Sequence, residues 1–415
     1  MKKGLLFLIA TTLFAASCST DNFDEATKPM ELKTSTLNKR SYSEALEIAN
    51  NAISMLGDNA VTRSGFPRQI DEQHGVKYVT NRITRIGAPD TLLYIFNFEG
   101  EEGFAVVSAN KNTDGLLAVT ESGCYNPEEG TNNPGLDMFM NMAAGYVSTK
   151  GLELPETPEI PLLRYKTVID TIYKVVISPR ISVEWGQSGI YGQFCPNGFS
   201  GCANSAMAMA MSYYAFPTTL EINYEGITPF TLTLNWLNIK NHTSSYYYCS
   251  CSTETHNAIG YLLRQLGYMT NSTYYFDENG DGINDGTGTY FTNVISVLRS
   301  IGYTVGDETN YNSTDLSSIL NNGKLILMGG SNANSNTGHM WVVDGCNYYT
   351  TETQDYVSSN GFEWSKIGTP TYRTTAYNHI NWGWDGSANG YFNNGVFDPN
   401  GNNYSEDITY TSIYH

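Results

Sequence analysis

The chain has 415 residues, 40% of them hydrophobic and 15% charged, with a formal net charge of −18. That length supports two globular domains with real cores, and the acidity excludes nucleic-acid binding and adhesion to anionic lipid through basic patches. The 30 tyrosines and 39 glycines, with abundant Asn, Ser and Thr, suit a β-rich secreted protein whose tyrosines sit mostly on half-buried strands.

At the N-terminus, Lys2-Lys3 precede an apolar run from Leu5 to Ala16, and Ser17-Cys18 follow. A short apolar segment ending in small residues and cysteine resembles a bacterial lipoprotein signal over residues 1–17, with Cys18 as the lipidated first residue. An ordinary secretory signal cleaved near the same point is the alternative. Several acyl chains on one cysteine anchor stably. Asp21, Asp24 and Glu25 make residues 18–40 an acidic, flexible tether. Such tethers resemble the surface-export signals of Bacteroides-type lipoproteins, so the expected location is the outer membrane, exposed at the cell surface or released after processing. No other stretch is long and apolar enough to span a membrane.

Residues 41–150 read as a separate α+β domain. Ser41-Tyr42-Ser43-Glu44 is a capping-box pattern, and Ala45, Ile48, Ala49, Ala52, Ile53 and Leu56 give an amphipathic helix closed by Gly57. Strands are expected at Thr91–Phe98, Phe104–Ser108 and Leu116–Thr120, and a second helix at Met138–Val147. Residues 151–180, with Pro155, Pro158 and Pro161 and the basic residues Arg164, Lys166, Lys174 and Arg180, read as a linker open to nicking. A cut near Lys174 or Arg180 would leave Trp185 and Gln187 on the C-terminal product. In residues 181–415, helices are expected at Ala203–Tyr214, His256–Gly267 and Thr289–Gly302. Strands are expected at Leu325–Gly329, Met340–Gly345 and His379–Trp384, with Gly390–Phe392 beginning the end of the sheet. Helices first and an antiparallel sheet later make an α+β domain. That order puts Cys202 on one half, His339 and Asn381 on the other, and a cleft between.

Gly201-Cys202 stands at the head of the Ala- and Met-rich helix, which Pro217 stops. A thiol in the first turn feels the positive end of the helix dipole, which favours thiolate. A buried structural cysteine is the plainer reading of that segment alone. Downstream come Gly338-His339 and then Asn378-His379-Ile380-Asn381-Trp382. Cysteine, then histidine about 130–150 residues on, then asparagine, is the papain order. Histidine takes the thiol proton and returns it to the leaving amine, while asparagine fixes the imidazole tautomer. His379 is the rival base, since it shares a strand face with Asn381 at i, i+2. A strand-edge histidine near the cleft is its preferred reading. Asp344 is rejected as the residue orienting His339, because five positions along a continuous strand it faces the other way.

Trp185-Gly186-Gln187, Ser200-Gly201-Cys202, Gly338-His339 with Val342-Val343-Asp344-Gly345, and Asn381-Trp382-Gly383-Trp384 occur in the order of one family. They resemble the streptopain family of papain-like cysteine peptidases from about Glu184 to the C-terminus, with a pro-domain before it. The resemblance implies a two-lobed papain-like catalytic domain over 181–415 and an inhibitory pro-domain over 41–150. It implies Cys202 as nucleophile, His339 as base and acid, and Asn381 as the residue orienting His339. Gln187 would be the oxyanion-hole amide, and Trp382 a shield over the His339–Asn381 contact. One local departure is Met209, or a near neighbour, where the family often carries glutamine; that position is expected to pack in the core.

Asp277, Asn279, Asp281, Gly282, Ile283 and Asp285 match the first nine positions of a calcium loop, Ile283 through its backbone carbonyl. Position 12 is Gly288 rather than glutamate, so the alternative is an Asn/Asp/Gly-rich surface turn between two helices. Any Ca2+ there would be structural, and catalysis needs no cofactor. Cys124, Cys195, Cys249, Cys251 and Cys346 cannot be paired from sequence, and zinc held by Cys195, Cys249, Cys251 and a histidine lacks a recognised spacing. The expected function is a lipid-anchored cysteine endopeptidase made as a zymogen. Its partners would be protein or peptide substrates and its own pro-domain. A papain-fold amidase acting on cell-wall peptides and an inactive surface binding protein are the alternatives.

Overall fold

The computed structural model describes residues 39–62, 65–81, 90–149, 164–243, 251–276, 286–311, 316–332, 338–359, 361–397 and 406–415. The signal segment, Cys18 and the acidic tether before residue 39 lie outside the described residues, as do Cys249 and the core of the calcium-type loop, 277–285.

The N-terminal region opens with helix α1 (Tyr42–Ala52), and the expected capping box forms: the Ser41 amide donates to Glu44 Oε2 at 2.8 Å and the Glu44 amide to Ser41 Oγ at 3.3 Å. Strands β1 (Val76–Asn81), β2 (Asp90–Asn97), β3 (Phe104–Ser108) and β4 (Leu116–Thr120) follow as an antiparallel meander, then helix α2 (Pro134–Thr149). β3 and β4 are buried along their whole length because both faces are covered. Ala105, Val107 and Val119 pack with Ala45 and Ala49 of α1, while Phe104, Val106 and Ala118 join a core shared with Phe139 and Ala143 of α2.

Strand β5 (Arg164–Ile177) comes next. The C-terminal region then adds α3 (Cys202–Tyr214), β6 (Thr219–Ile222), β7 (Phe230–Thr233), α4 (Trp236–Lys240), α5 (Thr253–Met269), β8 (Thr273–Phe276), β9 (Gly286–Gly288), α6 (Phe291–Ile301), β10 (Thr304–Val305), β11 (Thr309–Asn310) and α7 (Ser317–Asn321). It ends with β12 (Leu325–Asn332), β13 (Gly338–Ser358), β14 (Ser365–Asn381), β15 (Gly390–Asn393) and β16 (Glu406–Tyr414). The helices come first and the antiparallel strands later, so the α+β expectation holds. α3 is buried from Ala203 to Ser212, Met209 included, which is why its sequence lacks a polar face.

One 12-stranded antiparallel sheet runs in the order β1-β2-β3-β4-β15-β14-β13-β12-β16-β10, with β11 on β16 and β5 on β13. The junction between the two regions lies inside that sheet: Thr120, Val119 and Ala118 of β4 pair with Gly390, Tyr391 and Phe392 of β15. Their cores also merge, with Leu136, Phe139 and Met142 of α2 packed among Trp341, Trp382 and Phe392. Residues 38–415 accordingly form one compact unit.

Three expectations are corrected. The stretch read as linker holds a 14-residue strand, β5, paired to β13 from Cys346↔Ile177 to Ser358↔Arg164. Its Val, Ile, Thr and Tyr content supplies the strand preference that the prolines upstream had masked. The strands expected at Met340–Gly345 and His379–Trp384 are the inner ends of a long β13–β14 hairpin. In its outer half β14 is exposed and β13 half-buried, with contacts such as Thr350–Thr374 between them and Lys166 of β5 over the Trp364 ring at 4.6 Å. The calcium-type segment is flanked not by two helices but by the paired strands β8 and β9. Among the described residues no helix is long and apolar enough to cross a membrane.

Candidate active site

Cys202 is the first residue of α3. Gly201 before it has φ 87°, and a Cβ there would lie 2.9 Å from the Thr287 carbonyl, so glycine alone fits the turn that presents the thiol. Burial pushes the Cys202 thiol up, while backbone hydrogen bonds from Met340, Ala203 and its own amide pull it down. Burial wins, so in this form the site holds a thiol rather than a thiolate.

The segment carrying Gln187 is tied to the head of α3. The Ser200 amide and hydroxyl donate to the Gln187 carbonyl at 2.9 and 3.2 Å, and Ser205 Oγ donates to the Gly186 carbonyl at 2.8 Å. Trp185 Nε1 donates to the His242 carbonyl at 2.7 Å. Among the described residues, Gln187 Nε2 is buried without a hydrogen-bond partner. A buried, unmade N–H costs about 1–3 kcal/mol, and it sits on a segment fixed against the start of α3. Sequence reasoning missed Ser200 and Ser205 as anchors, although Ser200 stood inside the quoted motif.

His339, on β13, is 4% exposed. Its Nε2 donates to the Trp382 carbonyl at 2.8 Å, and its ring lies within 5.9–6.2 Å of Trp341, Trp382 and Trp384. Burial pulls the imidazole down to about 4, with the Trp382 carbonyl opposing. His339 is therefore neutral across ordinary pH. Asn381 does not hold it: Asn381 Nδ2 donates to the Val183 carbonyl at 2.8 Å and its Oδ1 accepts from the Gly383 amide at 3.2 Å. Trp382 is wholly buried and anchored through Asn389 Oδ1 and the Ala388 carbonyl. The structure sets the Cys202 thiol against the Met340 backbone of β13, next in sequence to His339, whose imidazole is turned towards the Trp382 carbonyl instead of Asn381.

The N-terminal region closes this arrangement. Gly135, in the first turn of α2, lies so close that an added Cβ would be 2.7 Å from His339 Cδ2 and would also strike the Trp382 ring. Asn133 Nδ2 donates to the Ser387 carbonyl at 3.2 Å beside it.

His379 belongs to a different cluster. Its Nδ1 lies 2.6 Å from Asp344 Oδ1, and Nε2 lies 3.5 Å from Oε1 of Glu121, which follows β4. Burial pulls the imidazole down, yet the two carboxylates outweigh it and push it up to about 10. Asp344 Oδ2 also accepts from the Arg180 and Ile181 amides at 2.9 and 2.8 Å. The strand register slips between Val343 and Gly345, so Asp344 is a bulged residue aimed into the interior, away from His339. Glu121 and Gly135, both missed from sequence, are legible only once the two regions are in contact. The calcium-type ligands Asp277, Asn279, Asp281, Ile283 and Asp285 lie outside the described residues.

A thiol at the head of a buried helix, a buried histidine on β13 and a buried unpaired amide, with the N-terminal region packed against the histidine, are the features of a thiol peptidase held under a covering segment. Residues 185–392 match the Peptidase C10 family and residues 21–147 match the Spi protease inhibitor family. In structure the chain is similar to a fragment of prointerpain A from Prevotella intermedia in which a cysteine is replaced by alanine. That match is 18% identical, with a TM-score of 0.50, and covers 84% of this chain and 98% of that one. It also aligns with active wild-type interpain A cysteine protease of the same organism at 22% identity and a TM-score of 0.36, over 57% of this chain and 94% of that one. No curated protein sequence matches. The chain belongs to the Peptidase C10, or streptopain, family of cysteine peptidases and carries its inhibitory pro-domain in the same polypeptide.

Proposed function

We propose that this zymogen matures into a cysteine endopeptidase in which Cys202 attacks the scissile carbonyl and Gln187 stabilises the resulting oxyanion. The observation that carries this reading is Gln187 Nε2, a buried donor with no acceptor, tied by Ser200 to the turn that bears Cys202. Its N–H would meet charge that exists only in the tetrahedral intermediate, together with the Cys202 amide. His339 would take the thiol proton, then return it to the leaving amine, leaving a thioester that water hydrolyses. That role needs the imidazole released from the Trp382 carbonyl and turned to Cys202 and Asn381. In the closed form, neutral thiol and neutral imidazole suit a resting zymogen, and departure of Gly135 would free the ring.

In the same reading, residues 1–17 are a lipoprotein signal, Cys18 carries the lipid, and the mature enzyme works at or beyond the outer membrane. Any calcium in loop 277–288 would be structural. The testing experiment follows chain length and casein cleavage for residues 19–415 under reducing conditions, beside Cys202→Ala. The parent should shorten and cleave casein while the variant does neither. A trimmed, folded parent that cleaves peptidoglycan peptides but not casein would favour the amidase, and one inert on both would leave a binding protein.

A further inference from the structure

Away from the catalytic cleft, His242, Cys251 and His256 come together, each offering a ligand atom, with all three within 4.8 Å of one another. His242 follows α4 and is 5% exposed; Cys251 and His256 flank the N-cap Ser252 of α5 and are half-buried. The two imidazole rings have centroids 5.2 Å apart. Cys195, which the sequence had offered as a zinc candidate without a recognised spacing, is not part of this set.

We propose that His242, Cys251 and His256 form a redox-gated site for a zinc-class divalent ion that braces the wall carrying Gln187. The donor set of two imidazoles and one thiolate suits Zn2+, which takes mixed N and S ligands tetrahedrally and leaves its fourth position to water. Bonds of about 2.0–2.3 Å require ligand atoms about 3.3–3.8 Å apart, so side-chain rotations of about an ångström close the cluster onto an ion. The Tyr191 hydroxyl lies 3.1 Å from His242 Nε2 and orients that ring, as a partner outside the coordination shell does.

The gate follows from the state of Cys251, which is disulfide-bonded. A disulfide sulfur is not a thiolate ligand. Two equivalents of a low-molecular-weight thiol reduce the bond, giving two protein thiols and the oxidised thiol dimer. The ion then displaces the Cys251 proton and binds the thiolate. Conditions that keep Cys202 reduced therefore open this site.

The consequence reaches the oxyanion wall through hydrogen bonds already made. The His242 carbonyl accepts from Trp185 Nε1 at 2.7 Å, the His242 ring meets Tyr191, and the His256 carbonyl accepts from Gln193 Nε2 at 2.9 Å. Residues 185–193 thus lean on both ligand histidines, and an ion joining them would stiffen the segment on which Gln187 is mounted.

The experiment uses the full chain carrying Cys202→Ala, which prevents self-processing and removes a competing thiol. Phosphine-reduced protein is titrated with Co2+ and then Zn2+. A single cobalt ion should bind with tetrahedral d–d bands and thiolate charge transfer, and zinc should displace it and raise the melting temperature. Oxidised protein and Cys251→Ser should lack the charge-transfer band, and His256→Gln should bind at least tenfold more weakly, with unchanged circular dichroism. Absence of the band in reduced parent, or its persistence in oxidised protein or in Cys251→Ser, would overturn the assignment.

Discussion

Gly135 of the pro-domain and His339 of the peptidase domain touch so closely that one added methyl would lie 2.7 Å from the imidazole Cδ2. The inhibitory segment therefore rests on the histidine as well as on the sheet beside it. A methyl forced into such a contact costs about 1–3 kcal/mol. Gly135→Ala should loosen the pro-domain by that amount, about 5- to 150-fold in its equilibrium constant at 1.4 kcal/mol per decade. The check is the lag before self-processing, together with inhibition of the mature enzyme by the added pro-domain. A lag equal to the parent's would mean that the contact does not help hold the zymogen.

Gln187→Ala should leave the zymogen folded, because its Nε2 makes no hydrogen bond among the described residues. In the mature enzyme it should lower kcat by about 10²–10³-fold with little change in KM, the signature of a donor used only in the transition state. Steady-state kinetics on a peptide substrate distinguish this from a structural role. A loss confined to KM would remove Gln187 from the oxyanion hole.

The His379–Asp344–Glu121 cluster makes a pH prediction. The folded-state pKa of His379 is raised above its ordinary 6.5, to about 10. A raised histidine stabilises fully below its unfolded pKa, so this contribution is complete below about pH 6.5 and fades as pH rises through 10. Glu121→Gln removes the carboxylate supplied by the pro-domain and narrows the gap. Melting temperatures of Cys202→Ala zymogen should fall on the alkaline side, and less steeply once Glu121→Gln is added. The paired comparison cancels the raised Tyr303, which titrates in the same direction; Tyr391 is pushed up by burial and by Glu121 itself, so its contribution shrinks together with that of His379. Parallel curves for the two proteins would show that Glu121 does not reach His379.

Much of this site was legible because its signals are local. The Ser41–Glu44 capping box, the apolar runs of β3 and β4 and the turn at Gly201-Cys202 each occupy a few consecutive residues whose chemistry admits few conformations. Asp344 shows where locality ends. Alternation along a continuous strand correctly separates it from His339, but only the bulge between Val343 and Gly345 turns it into the interior, where it meets His379. Strand β5 and the outer β13–β14 hairpin were missed for a related reason. With both faces exposed, Tyr165, Ile169, Tyr173 and Tyr372 show no hydrophobic period, and only pairing to neighbours distant in sequence defines them. The His339–Trp382 hydrogen bond was equally invisible, because it is set by a ring orientation that no local motif specifies.

The pairing of β5 predicts an activation cut upstream of Arg164. Lys174 pairs with Tyr349 inside a ladder, and the amides of Arg180 and Ile181 are held by Asp344. Backbone committed to such bonds must open before a protease can extend it in a cleft, so basic side chains there do not make good cleavage sites. A cut between Thr149 and Arg164 keeps β5 on the peptidase and leaves its ladder with β13 intact. N-terminal sequencing of the mature protein should place its first residue in that interval, and Lys174→Gln with Arg180→Gln should process as fast as the parent. A mature chain beginning at Val175 or Ile181 would show instead that β5 departs with the pro-domain, leaving the 346–358 edge of β13 unpaired.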